Sequence, residues 1–136
     1  MPFVLDASVV ASWHFPDEKN PDTDLVLDRL RLDRALVPQH WWFEIRNVLL
    51  LGERRGRSAH EETTTFLDRL SRLRITAAPL PIDTNVLALA RRHRLTFYDA
   101  TYLELAQHEN LPLATLDDEL AAAAKAEQVE LIISYT

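Results

Sequence analysis

Pro2-Phe3-Val4-Leu5-Asp6, at the start of the chain, reads as a short apolar strand that ends on a carboxylate. A strand buried on both faces carries a continuous apolar run rather than an alternation. Residues 7–15 (ASVVASWHF) then form a helix that stops before Pro16, whose ring cannot continue it. The same unit recurs along the chain. Residues 35–37 (ALV) precede a helix over 39–55, and 75–80 (ITAAPL) precede helices over 83–93 and 99–109. Residues 111–115 (LPLAT) precede an Ala-rich helix over 117–127, and 130–134 (ELIIS) read as a last strand. Two further helices fill the gaps. One spans 22–34, with Leu25, Leu27, Leu30 and Leu32 as its apolar positions. The other spans 58–73, opened by Ser58 with Glu61 three residues on. Gly56 suits a left-handed cap, and Asp83 and Asp99 each open a helix. Strands alternating with helices predict an α/β fold: a three-layer α/β/α sandwich around a short, mainly parallel sheet.

Residues 1–136 make one domain, long enough to bury a proper core. The absence of cysteine excludes disulfides, thiolate metal sites and thiol nucleophiles. The apolar runs fall far short of the ~20 residues a membrane span needs, and MPFVLDASVV lacks the flanks of a signal peptide, so a cytoplasmic protein is expected. The formal charge is −6. The cations are thirteen arginines against two lysines, Lys19 and Lys125.

In a parallel sheet the ligand site lies beyond the carboxyl ends of the strands. That rule singles out Asp6 at the end of the first strand, Asp117 just after LPLAT, and Asp99 at a helix start. For Asp99 and Asp117 the plain alternative is helix capping. Glu44 is different. It lies within WWFEIRNVLLL (41–51), where Glu44, Arg46 and Asn47 are the only polar residues. On a helix, Glu44 shares a face with Asn47, Trp41, Val48 and Leu51, while Arg46 points away. A carboxylate on an apolar face needs a cation, either an arginine or a metal. Oxygen donors without cysteine or paired histidines suit a hard ion, Mg²⁺ or Mn²⁺, rather than zinc. Such an ion lowers the pKa of water and neutralises charge on a phosphate, which is what phosphodiester hydrolysis requires. Without it, clustered carboxylates repel one another and their pKa values rise.

These residues resemble the PIN domain, and within it the VapC-type ribonuclease toxins, over nearly the whole chain. Asp6-Ala7-Ser8 looks like the first motif, with Ser8 supporting the site. Glu44 followed by Asn47 looks like the second. Asp99-Ala100-Thr101-Tyr102-Leu103 looks like the third, and Thr115-Leu116-Asp117 with Leu120 the fourth, Thr115 supplying an orienting hydroxyl. The resemblance implies a PIN-like sheet and a Mg²⁺- or Mn²⁺-dependent endoribonuclease. Asp6, Glu44, Asp99 and Asp117 would be its catalytic and metal-binding residues. It also implies a toxin held inactive by a small cognate antitoxin, commonly a homodimer, leaving 5′-phosphate and 3′-hydroxyl ends on RNA. Asp118, next to Asp117, competes with it as a ligand.

Candidate RNA contacts are Arg54, Arg55 and Arg57 after the long helix, and Arg91, Arg92 and Arg94 before Asp99. Their alternative is a solvated helix end complementing the dipole. Trp13, Phe15, Trp41, Trp42 and Phe43 are either core or a partner surface. A phosphoaspartate fold fits poorly: Ser8 stands where a phosphatase needs a second Asp, and Lys125 lies within a helix. No G-x-G-x-x-G occurs for a dinucleotide. The remaining alternative is a catalytically inactive, PIN-like protein-binding scaffold.

Overall fold

The computed structural model describes residues 1–133. Four short strands, β1 (Phe3–Leu5), β2 (Ala35–Val37), β3 (Ile75–Ala77) and β4 (Leu113–Ala114), pair in parallel in the order β3-β2-β1-β4. Among the described residues seven helices surround them: α1 (Ala7–His14), α2 (Pro21–Arg29), α3 (Trp41–Arg54), α4 (His60–Ser71), α5 (Asp83–His93), α6 (Phe97–Glu109) and α7 (Asp118–Ala126). A short 3-10 turn spans Pro16–Glu18. This is the expected α/β sandwich. α1 to α4 contact one another as one group and α5 to α7 as another. Right-handed crossovers put two such groups on opposite faces, because the chain runs one way from β1 through β3 and then jumps back past β1 to β4. The order reverses between β1 and β4, so their carboxyl ends flank the crevice where such sheets bind ligands.

β1 is wholly buried, as its apolar run requires. Phe3, Val4 and Leu5 sit at the centre of the core with Tyr102, Leu103, Ile45, Leu49 and Leu120. Among the large apolar residues left open by the sequence, Phe15 and Trp41 are buried and Trp13 packs partly against the core, whereas Trp42 and Phe43 are exposed.

Several boundaries differ from the sequence reading. α2 ends at Arg29, and its buried positions are Thr23 and Val26, continued by Leu30. Leu25 and Leu32 face solvent, because a helix has one buried stripe and Thr23-Val26-Leu30 occupies it. α4 starts at His60, two residues later than expected, with its cap moved from Ser58 to Ala59: Glu62, not Glu61, accepts the backbone N–H of Ala59 at 2.9 Å. Ala59 has no side-chain acceptor, so only half of a capping box forms. Asp83 is the first helical residue of α5, with Ile82 as cap. β3 stops at Ala77. The last strand shrinks to a parallel bridge between Leu131 and Leu113, and position 134 lies outside the described residues. Gly56 does take the left-handed conformation, with φ of 71°. No helix among the described residues is long and apolar enough to cross a membrane.

Gly52, on the inner side of α3, meets the Phe15 ring. A Cβ there would stand 2.5 Å from two ring atoms, and the guanidinium of Arg57 lies over the same ring, 3.9 Å from its centroid. Gly52→Ala is expected to lower stability by about 1–3 kcal/mol, overpacking outweighing the helix propensity gained. A denaturant melt with an unchanged midpoint would contradict this contact.

Candidate active site

Asp6 follows β1, and its backbone N–H donates to the Ala114 carbonyl of β4 at 3.0 Å. This fixes its side chain at the crevice between the two strands. The residue is 5% exposed. Ser8 Oγ donates to its Oδ2 at 2.6 Å and Thr115 Oγ1 to the same oxygen at 2.7 Å. The hydroxyls are themselves placed by the chain. The N–H of Leu116 donates to Ser8 Oγ and that of Asp117 to Thr115 Oγ1, each at 3.0 Å. Ser8 and Thr115, which the resemblance made supporting residues, thus both donate to Asp6.

Burial pushes the Asp6 carboxyl from 3.8 up to about 6; the two hydroxyls oppose the rise, and the charges of Glu44 and Asp99 add to it. Asp99 lies in the first turn of α6 rather than at its cap. Thr96 is the cap, its Oγ1 accepting the Asp99 N–H at 3.1 Å. That overturns the capping alternative for Asp99, whose carboxylate instead meets the Thr96 side chain. Its pKa is raised by burial first, then by Asp117, Glu44 and Glu119. Asp117 does cap a helix: its Oδ1 accepts the Leu120 N–H at 2.8 Å. Glu44 is partly exposed, and its Oε1 accepts the Tyr102 hydroxyl at 2.6 Å with His40 Nε2 3.2 Å away.

The four carboxylates therefore share one electrostatic neighbourhood, although they come from four separate segments. The ion pairs of the described residues bring no arginine to any of them. The arginine partner that the sequence allowed for Glu44 is not found there; a tyrosine and a histidine take its place. Among the described hydrogen bonds, Asp6 keeps Oδ1 free, Glu44 Oε2 and Asp117 Oδ2. Free carboxylate oxygens without basic compensation are the donor set of a hard divalent cation. As the side chains stand, no three acidic or histidine groups among the described residues converge closely enough to hold one. An open spacing is what repulsion between like charges favours.

The supporting candidates separate. Asn47 is exposed on α3, one turn from Glu44, and joins none of the described hydrogen bonds. Asp118 is exposed as the first residue of α7, and it is Asp117 rather than Asp118 whose charge acts on Asp99. Arg57 pairs with Asp17 at 2.9 Å and Glu18 at 2.7 Å, so it is a tie between α3 and the 3-10 turn rather than an open phosphate contact. Arg92 pairs with Glu127 at 2.8 Å. Arg54, Arg55, Arg91 and Arg94 are exposed. Arg94 also closes α5 in a left-handed conformation, φ 54°. Tyr102, His40 and Thr96 were given no role by the sequence. The signal for Tyr102 was its place three residues after Asp99 in an apolar helix, since a buried tyrosine needs a partner for its hydroxyl.

A family profile described as PIN domain matches residues 3–126, from β1 to the end of α7. The chain belongs to the PIN-domain family. It is 30% identical over 129 residues to Ribonuclease VapC3 of Pyrobaculum aerophilum, covering 89% of this chain and 93% of that protein. Two crystal structures share its fold. PAE2754 from Pyrobaculum aerophilum aligns with a TM-score of 0.67 at 22% identity, over 90% of this chain and 84% of that one. FitAcB from Neisseria gonorrhoeae aligns with a TM-score of 0.61 at 20% identity, over 96% of each chain. In this PIN domain, the family's sheet sets the two strand ends that carry Asp6 and Thr115 side by side.

The raised pKa gives a signed prediction for metal-free protein. A carboxyl whose folded pKa exceeds its unfolded one binds more protons when folded, so stability falls as pH rises from about 4 to about 6. The full difference is about 3 kcal/mol for Asp6. Asp6→Asn is expected to remove most of that slope and to be the more stable protein at neutral pH. Melting curves in chelator from acid to neutral pH check this; parallel curves for the two proteins would contradict the burial cost.

Proposed function

We propose that this PIN domain is a divalent-metal-dependent endoribonuclease, the toxin of a type II toxin–antitoxin pair. The carrying observation is the charge arrangement: a buried Asp6 whose pKa reaches about 6 beside Glu44 and Asp99, with no arginine paired to any of the four acids among the described residues. The likeness to a ribonuclease of the VapC group over most of both chains supports the reaction class.

Asp6, Glu44, Asp99 and Asp117 would hold Mg²⁺ or Mn²⁺ through oxygens that include Asp6 Oδ1, Glu44 Oε2 and Asp117 Oδ2. Bound there, the cation supplies Lewis-acid charge at the phosphate and lowers the pKa of the attacking water. Ser8 and Thr115 orient Asp6 by their shared grip on Oδ2. Asp99, not engaged as a helix cap, would complete the donor set. Water as nucleophile leaves 5′-phosphate and 3′-hydroxyl ends. Exposed Arg54, Arg55, Arg91 and Arg94 are the remaining candidates for RNA phosphates. The likeness to VapC3 and the toxin-type motifs support an antitoxin partner and a cytoplasmic setting. A homodimer accords with the exposed Trp42 and Phe43 on α3.

A protein-binding scaffold is the second reading, and the open spacing of the acids is the observation that favours it. Cleavage of a structured RNA pool with Mg²⁺, with Mn²⁺ and with chelator separates the two. The enzyme reading expects metal-dependent cutting, reduced at least about a hundredfold in Asp6→Asn. Cutting that survives chelation or the substitution would overturn the site. No cutting together with no Mn²⁺ binding would establish the scaffold.

A further inference from the structure

The Tyr102 hydroxyl, on α6, reaches Glu44 on α3. Its ring belongs to α6 and is fully buried in the core against β1. Its oxygen donates to Glu44 Oε1 at 2.6 Å, and the backbone N–H of Ala7, the residue after Asp6, lies against that same oxygen. The hydroxyl thus links the glutamate of α3 to the chain next to the aspartate of β1. His40 Nε2 approaches the same Oε1 at 3.2 Å, its ring edge-on to Tyr102 at 5.3 Å between centroids, without forming a hydrogen bond of its own. Both neighbours therefore act on Oε1 and neither on Oε2. A phenol has a single proton to give, and a fully buried ring cannot follow a wandering carboxylate. Glu44 is otherwise partly exposed on a helix surface, where its long side chain has many rotamers.

We infer that Tyr102 is a positioning residue: it pins Glu44 through Oε1 so that Oε2 is the oxygen presented to the cation. This rests on the metal-dependent reading above. Residues that orient a metal ligand typically alter metal affinity by about 10–100-fold. A merely structural tie across the core would change stability and leave affinity alone.

The test is Mn²⁺ binding to the whole chain, by calorimetry, for the parent, Tyr102→Phe, Glu44→Gln and the double variant. Tyr102→Phe is expected to raise the Mn²⁺ Kd about tenfold. The double variant should bind no more weakly than Glu44→Gln, because the hydroxyl acts only through that carboxylate. RNA cleavage by Tyr102→Phe should recover when Mn²⁺ is raised, a loss in metal affinity rather than in kcat. An unchanged Kd in Tyr102→Phe with a weakened Glu44→Gln overturns the inference alone, as do additive losses in the double variant. Unchanged binding in both Glu44→Gln and Asp6→Asn overturns the metal reading and this inference with it. Should Tyr102→Phe not fold, 3-fluorotyrosine placed at position 102 keeps the hydroxyl. Its fluorine signal should shift on adding Mg²⁺ and stay still in the Glu44→Gln background; a signal unmoved in the parent overturns the inference.

Discussion

The carboxylate of Asp6 is buried where burial is costly, and the surrounding structure is arranged around that fact. Two hydroxyls, from Ser8 and Thr115, hold one of its oxygens, and backbone N–H groups hold each hydroxyl in turn. These contacts need β1 and β4 as neighbours, because Thr115 follows one strand and Asp6 the other. The reversal of strand order between them makes them neighbours while leaving the crevice above open. Topology and chemistry thus meet at a single hydrogen-bonded knot, only partly repaid by its hydroxyls.

The other acids arrive by different routes. Asp99 is delivered by the first turn of α6, freed from capping because Thr96 does that work. Asp117 caps α7 with Oδ1 and keeps Oδ2 out of the described hydrogen bonds. Glu44 is delivered by α3 and held by Tyr102. Four of the acids behind the net charge of −6 are gathered in one electrostatic neighbourhood. A divalent cation at the site would offset part of that charge and invert the local field, which is the condition for approaching a phosphate.

Much of this was legible in the sequence because strand ends in a parallel sheet are functional by rule. PFVLD pointed to Asp6 and LPLAT to Asp117 as candidates, while Thr115 entered only through the family resemblance. Glu44 stood out as an acid in an apolar helix. What stayed hidden depended on contacts distant in the chain. Tyr102 and Glu44 are 58 positions apart, and no local pattern announces their bond. Arg57 looked like an open cation, yet it closes on Asp17 and Glu18 some 40 residues away. Helix starts moved by one or two residues where a neighbouring threonine or alanine took the cap, a shift that propensity alone does not resolve. Over residues 22–34, four leucines suggested the buried stripe, but of them only Leu30 joins Thr23 and Val26 in it, since the direction of one helix face is set by packing.

The most direct measurement is the proton count on Mn²⁺ binding, from calorimetry in buffers of differing ionisation heat. With Asp6 near half-protonated at pH 6, binding there should release about half a proton from it, and less at higher pH. Asp6→Asn should abolish most of that release. Binding without proton release at pH 6, or with the same release at all pH values, would contradict a cation seated on a buried, protonated carboxylate.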